Sequence, residues 1–186
     1  MKKAVILLLI MFSSVALAEL RVRPTEWAQP LIGSSLDNIY QVDDGVFRSE
    51  QPDDSEFKEI FNLGVKEVLN LREYHSDDGE AEGLDLDLHR IRIATGSISE
   101  GDVIEALQII SNRSGPILVH CWHGSDRTGA IIASYRVVIE GWSKEKAIEE
   151  LADGGYGYHS SVYPNIVELI KDLDVEKIRS TLASGT

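Results

Sequence analysis

The chain has 186 residues, 43% of them apolar, which suits one globular domain with its own core. Its 31 acidic residues against 18 basic ones give a formal charge of −13, which excludes a general electrostatic grip on nucleic acid or anionic lipid. A single cysteine, Cys121, excludes an internal disulfide, so stability must come from packing.

At the N-terminus, Lys2-Lys3, the apolar run from Ala4 to Phe12 and the small-residue end Ala16-Leu17-Ala18 have the three parts of a secretory signal peptide over residues 1–18. Cleavage before Glu19 would remove two lysines and make the chain more acidic still. The apolar run is too short to span a bilayer comfortably and no lipid-attachment cysteine follows, so no integral membrane segment is expected after cleavage. The chain is therefore expected to be exported, to the periplasm or alternatively into the medium. Residues 19–38, with Pro24, Pro30 and Gly33, read as an extended segment, and one folded domain is expected over 39–180 with no repeat or linker.

Within that domain, Ile39 to Val42 and Val46 to Arg48 are short strand candidates around the turn signal Asp43-Asp44-Gly45. Asp53 and Glu56 form a capping box for a helix with Phe57, Ile60 and Phe61 on one face, which Gly64 terminates. Val65 to Leu71 reads as a buried strand. The segment Arg72 to Gly83 carries Asp77, Asp78, Glu80 and Glu82 without a ligand spacing around a glycine turn, so it is expected to be a solvated loop and no metal is expected. Leu84 to Ile93 alternates apolar and polar residues, as a strand with one wet face does, and His89 is expected on that face.

Ser99-Glu100-Gly101-Asp102 opens a further helix, and Ser114-Gly115 introduces the short apolar strand Pro116 to Val119. A helix largely buried in the core is expected from Ala130 to Ile139, stopped by Gly141. Ser143 caps the next helix through Leu151, and Pro164 starts the last one. Strands alternating with helices imply an α/β fold, a single central, mostly parallel sheet flanked by helices.

Between the Pro116 to Val119 strand and the following helix lies His120-Cys121-Trp122-His123-Gly124-Ser125-Asp126-Arg127-Thr128-Gly129. In a strand-to-helix turn, the backbone N–H groups from Trp122 to Arg127 can form an anion-binding nest, reinforced by the helix N-terminus. Cys121 at its floor would sit in a positive field that favours thiolate, the nucleophilic form. Arg127 offers a planar fork that matches two phosphate oxygens, and Thr128 could hydrogen-bond the thiolate and help it leave. Trp122, His123, Gly124, Ser125, Asp126 and Arg127 are thus the candidate substrate-binding residues, with His120, Cys121, Asp126, Arg127 and Thr128 as candidate catalytic ones.

These residues match HCxxGxxR[ST]G at every fixed position, and the chain resembles the cysteine-dependent protein phosphatases. Within that superfamily it is similar to the compact dual-specificity phosphatases, including periplasmic bacterial tyrosine phosphatases. Arg48-Ser49-Glu50-Gln51-Pro52 resembles an early segment of the same family, and Gly141-Trp142 follows the motif helix as in its periplasmic members. The resemblance covers roughly Tyr40 to Leu173. It implies a phosphotyrosine-phosphatase-like fold, no cofactor, and hydrolysis of phosphomonoesters through a phosphocysteine. It also implies an aspartate after the strand ending at Ile93 that protonates the leaving oxygen.

The corresponding loop, Ala94-Thr95-Gly96-Ser97-Ile98, contains no acid. Asp126 inside the motif is the first candidate, with Glu100 and Asp102 as alternatives, and absence of an acid as a third reading. Weak acid assistance favours phenolic leaving groups over alkoxides, since phenol has a pKa of about 10. The expected partner is therefore a phosphotyrosine-bearing protein, by location the outward-facing domain of a membrane protein, and the chain is expected to be a monomer. Phosphoinositides or inositol polyphosphates are the alternative substrates within the same chemistry. A catalytically weak phosphate-binding module is the alternative outside it.

Overall fold

A computed structural model describes residues 22–184; the expected signal peptide, residues 1–18, lies outside them. Its sheet has six strands: β1 (Gln29–Pro30), β2 (Tyr40–Gln41), β3 (Val46–Ser49), β4 (Glu67–Arg72), β5 (Asp87–Ile93) and β6 (Ile117–His120). They lie in the order β1-β2-β3-β6-β4-β5. The pairings β3 with β6, β6 with β4 and β4 with β5 are parallel, whereas β1 and β2 add an antiparallel edge. The helices among the described residues are α1 (Asp54–Asn62), α2 (Glu100–Ser111), α3 (Asp126–Val138), α4 (Lys144–Asp153), α5 (Asn165–Asp172) and α6 (Val175–Ser184).

Strand β6 is the middle of this arrangement. It has a parallel neighbour on each side and helices over both faces, so all four of its residues are buried. Leu118 points to one face, into a cluster with Val68 and with Phe57 and Ile60 of α1. Val119 and Ile117 point to the other, into the larger cluster with Leu69, Ile93, Val103 and Ile131 that α2 to α6 cover. Helix α3 runs through that second layer and is buried over nearly its whole length, as its apolar composition predicts. The capping boxes of α1 and α2 form as expected: Asp53 accepts from the Ser55 and Glu56 amides, and Ser99 accepts from the Asp102 amide.

Four sequence expectations are modified. The extended N-terminal segment is part of the body: Gln29–Pro30 pairs with β2, where a proline lacking its N–H is tolerated only because β1 is an edge strand. Ala28 next to it is fully buried and donates its N–H to Glu150 Oε1 at 2.7 Å. The strand expected from Leu84 begins at Asp87, because the apolar alternation slips by one residue between Leu88 and Ile91; Ile91 and Ile93 are buried, and Leu88 is 38% exposed on the outermost strand. The helix after Pro164 ends at Asp172, and a further helix follows, with the Asp174 carboxylate accepting from the Lys177 amide at 3.1 Å. Finally, Asp77 in the acidic loop is buried rather than solvated.

Candidate active site

The loop between β6 and α3 is shaped by what holds its carbonyls. Gln51 donates its backbone N–H to the Trp122 carbonyl at 3.1 Å, Asn38 Nδ2 donates to the His123 carbonyl at 2.7 Å, and Arg48 Nη2 donates to the Gly124 carbonyl at 2.6 Å. Three successive carbonyls are thus tied outward, which leaves the peptide N–H side of the loop for an anion. Gly124 has φ +68, and a Cβ there would sit 2.5 Å from the Ser49 carbonyl, so no side chain fits. Arg48 is 1% exposed and lies 3.6 Å from the centre of the Tyr156 ring. The segment Arg48 to Gln51 is therefore the outer scaffold of the loop.

Cys121 is at the floor, 2% exposed, at the end of the central strand. Behind it, buried His120 bonds Asp77 Oδ2 through Nε2 at 2.9 Å, and its Nδ1 lies 3.2 Å from the Cys121 carbonyl. Asp77 also accepts from Gln51 Nε2 at 2.9 Å and from Asn70 Nδ2 at 3.0 Å. Burial alone would raise the Asp77 carboxyl, but these bonds and the His120 ring hold it below the usual carboxylate range. Sequence reasoning missed Asp77, since it looks like its acidic neighbours; only the fold places it under the loop. His75, Asp77 and Glu80 have ligand atoms within 4.8 Å of one another, yet both Asp77 oxygens are occupied and His75 pairs with Glu80 at 2.9 Å.

Arg127 is held from below by the carbonyls at the C-terminal ends of two parallel strands, its Nη1 donating to Leu71 at 3.3 Å and Ile93 at 3.4 Å. Its Nε is buried and has no partner among the described residues, an N–H donor available to an oxyanion. The Thr128 hydroxyl is likewise buried without a partner; it makes no bond to Cys121. Above the loop, Arg127 and Trp122 line a continuous cleft. One part, about 340 Å³, also meets Arg72, Glu73, Tyr74 and Gly96; the other, about 330 Å³, also meets His123, Asp126, His159 and Val162, and both share Thr95 and Tyr163. The indole of Trp122 is 57% exposed and is backed by the Arg72 guanidinium 4.2 Å from its ring centre.

The three carboxylates named from sequence fare differently. Asp102 turns back onto Ser99, accepting from its N–H at 2.8 Å and its hydroxyl at 2.7 Å. Glu100 accepts from Lys177 Nζ at 2.6 Å and from the Asp174 amide at 3.1 Å, and the lysine holds its carboxyl below the usual range. Neither lines the cleft. Asp126 does, with Oδ1 accepting from the His159 amide and Oδ2 from His159 Nδ1, both at 2.9 Å. His159 carried no sequence signal that would have singled it out.

Residues 35–169 match the tyrosine phosphatase family. The chain is similar to the dual specificity protein phosphatase TpbA of Pseudomonas aeruginosa, 31% identical over 88% of this chain and 74% of that one. A crystal structure of P. aeruginosa TpbA in complex with pTyr superposes with a TM-score of 0.78 at 27% identity, over 88% of this chain and 99% of that chain. An inositol diphosphatase of Arabidopsis thaliana is 27% identical over 61% of each chain. In the described part, no helix is long and apolar enough to cross a membrane. With the loop, the arginine and the buried cysteine arranged as above, the chain belongs to the tyrosine phosphatase family and is a phosphatase of the tyrosine and dual-specificity kind.

Proposed function

We propose that this phosphatase is exported to the periplasm and removes phosphate from phosphotyrosine in proteins, with Cys121 as the nucleophile. The observation that carries the reading is the position of Cys121 at the base of a loop whose carbonyls are bonded outward, next to a cleft that Trp122 and Arg127 line. The phosphoryl group would rest on the loop amides and the Arg127 fork, in line with Sγ and the leaving oxygen. The S–P bond forms as the P–O bond breaks, and water then releases phosphate from the phosphocysteine. His120 and its partner Asp77 fix the strand end from which Cys121 projects.

Tyrosine preference is supported by the wall of the cleft. Trp122, Tyr163 and Tyr74 give it an aromatic lining against which a phenyl ring can pack, and Arg72 keeps the Trp122 indole in place. Export is supported by the composition of residues 1–18, and a monomeric enzyme acting on the outward-facing domain of a membrane protein is the partner reading that follows from that location. Inositol polyphosphates remain the second reading, supported by Arg72 and Arg127 on one cleft and by the similar inositol diphosphatase. Against it stand Glu73 and Asp126 on the same walls.

The test is hydrolysis of phosphotyrosine peptides and of an inositol polyphosphate side by side by wild type and Cys121→Ser. Peptide turnover that vanishes in Cys121→Ser and exceeds turnover of the inositol compound is expected. Faster turnover of the inositol compound would overturn the substrate assignment, and equal background rates in both proteins would leave only a binding module. Trapping with Cys121→Ser in the envelope fraction identifies the natural partner.

A further inference from the structure

The loop that joins α4 to α5 brings a histidine to the mouth of the cleft, and its geometry is set by the motif itself. His159 is gripped twice by Asp126, through its backbone N–H and through Nδ1, both at 2.9 Å. The imidazole is thereby fixed in orientation, with Nδ1 against the carboxylate and Nε2 on the opposite side of the ring. The ring is about half exposed, at 49%, and lines the same part of the cleft as Arg127 and Trp122. Both Asp126 oxygens are thus engaged by His159, one by its backbone N–H and one by its ring.

Resting on the phosphatase reading above, we propose that His159, oriented by Asp126, is the general acid and base of the reaction. In the first step Cys121 Sγ bonds to phosphorus, and the P–O bond to the leaving group breaks with its electron pair on oxygen. The imidazolium gives its Nε2 proton to that oxygen, producing a phenol and a neutral imidazole. In the second step Nε2 takes a proton from the water that attacks phosphorus, the S–P bond breaks, and phosphate leaves with the imidazolium restored. The Asp126 carboxylate keeps Nδ1–H throughout and stabilises the charged ring. The other titratable and charged groups on this part of the cleft are His123, whose centroid is 6.3 Å away, Arg127 from α3 and Tyr163 from its own loop.

The arrangement explains how the loop 94–98 can lack an acid. It also makes a prediction that a merely structural role for His159 does not. kcat/KM, which reports the first chemical step, is measured for a series of aryl phosphates from p-nitrophenyl, whose phenolate leaves unaided, to phenyl and tyrosine phosphate. For His159→Gln, p-nitrophenyl phosphate should be cleaved nearly as well as by wild type, while tyrosine phosphate falls on the order of 10²-fold, the range of one positioned acid. Asp126→Asn, which leaves one acceptor for Nδ1–H, should show the same trend with a smaller loss. His89→Gln, on outer strand β5, should follow wild type throughout. A flat series in His159→Gln overturns the proposal, as does a steep one in Asp126→Asn alone, which would make Asp126 itself the acid. Failure of wild type on every aryl phosphate would instead sink the phosphatase reading beneath it.

Discussion

Two of the loops that wall the cleft differ in what they offer the reaction. The one after β5, Ala94 to Ile98, contributes Ala94, Thr95 and Gly96 and no titratable group, although the family resemblance places the acid there. The one between α4 and α5 contributes His159, Val162 and Tyr163, and is bolted to the catalytic loop through Asp126. Each wall could host a proton carrier, since both line the cleft beside Arg127. The difference teaches that the mechanism fixes where a proton must arrive but not which loop delivers it; a wall without an acid can be matched by a proton carrier held rigidly on the other.

Breaking the floor that both walls share should have the largest effect. Asp77→Ala leaves buried His120 Nε2 without its partner and takes one acceptor each from Gln51 and Asn70, a loss of about 3 kcal/mol of stability measurable by denaturant unfolding. Where the protein remains folded, its kcat/KM should fall for good and poor leaving groups alike, unlike the selective loss expected at His159. The comparison is sharpened by rebuilding the barren wall. Gly96 lines the cleft, and a Cβ there meets nothing within 4 Å, so Gly96→Asp should be accommodated. In a His159→Gln background it should recover about tenfold in tyrosine phosphate hydrolysis, a fraction of what a positioned acid supplies. No recovery would mean that this wall is too far from the leaving oxygen.

The smallest effect concerns acid. Because the Asp77 carboxyl is held below its ordinary value, its stabilisation is complete above the unfolded value near 4 and is lost as pH falls through the lower folded one. Thermal unfolding followed from pH 6 to pH 3 should therefore show a steeper loss of stability in wild type than in Asp77→Ala. An identical slope in both would assign acid sensitivity to other carboxylates.

The sequence carried the floor of the site and not its walls. The run from His120 to Gly129 was legible because a nucleophile, a phosphate fork and glycines must be contiguous in a strand-to-helix turn. Arg48 to Gln51 was legible as a family segment, though not as the scaffold that ties down the Trp122 and Gly124 carbonyls. Asp77 and His159 were not legible, since a buried acid in an acidic loop and a histidine in Gly154 to Tyr163 have no local pattern; both are placed by contacts more than thirty residues away along the chain. For the fold, caps and apolar periodicity gave the helices, whereas β1 escaped because two residues carry no period. The edge position of β5 likewise defeated the expectation that Leu88 is covered.

A rapid-quench experiment with p-nitrophenyl phosphate tests most directly whether Cys121 holds the phosphoryl group while His159 serves both steps. Because that leaving group needs no acid, His159→Gln should complete the first step and stall in the second. The prediction is a burst of about one equivalent of p-nitrophenol with phosphate covalently on Cys121. No burst in His159→Gln, or phosphate found on another residue, would contradict it.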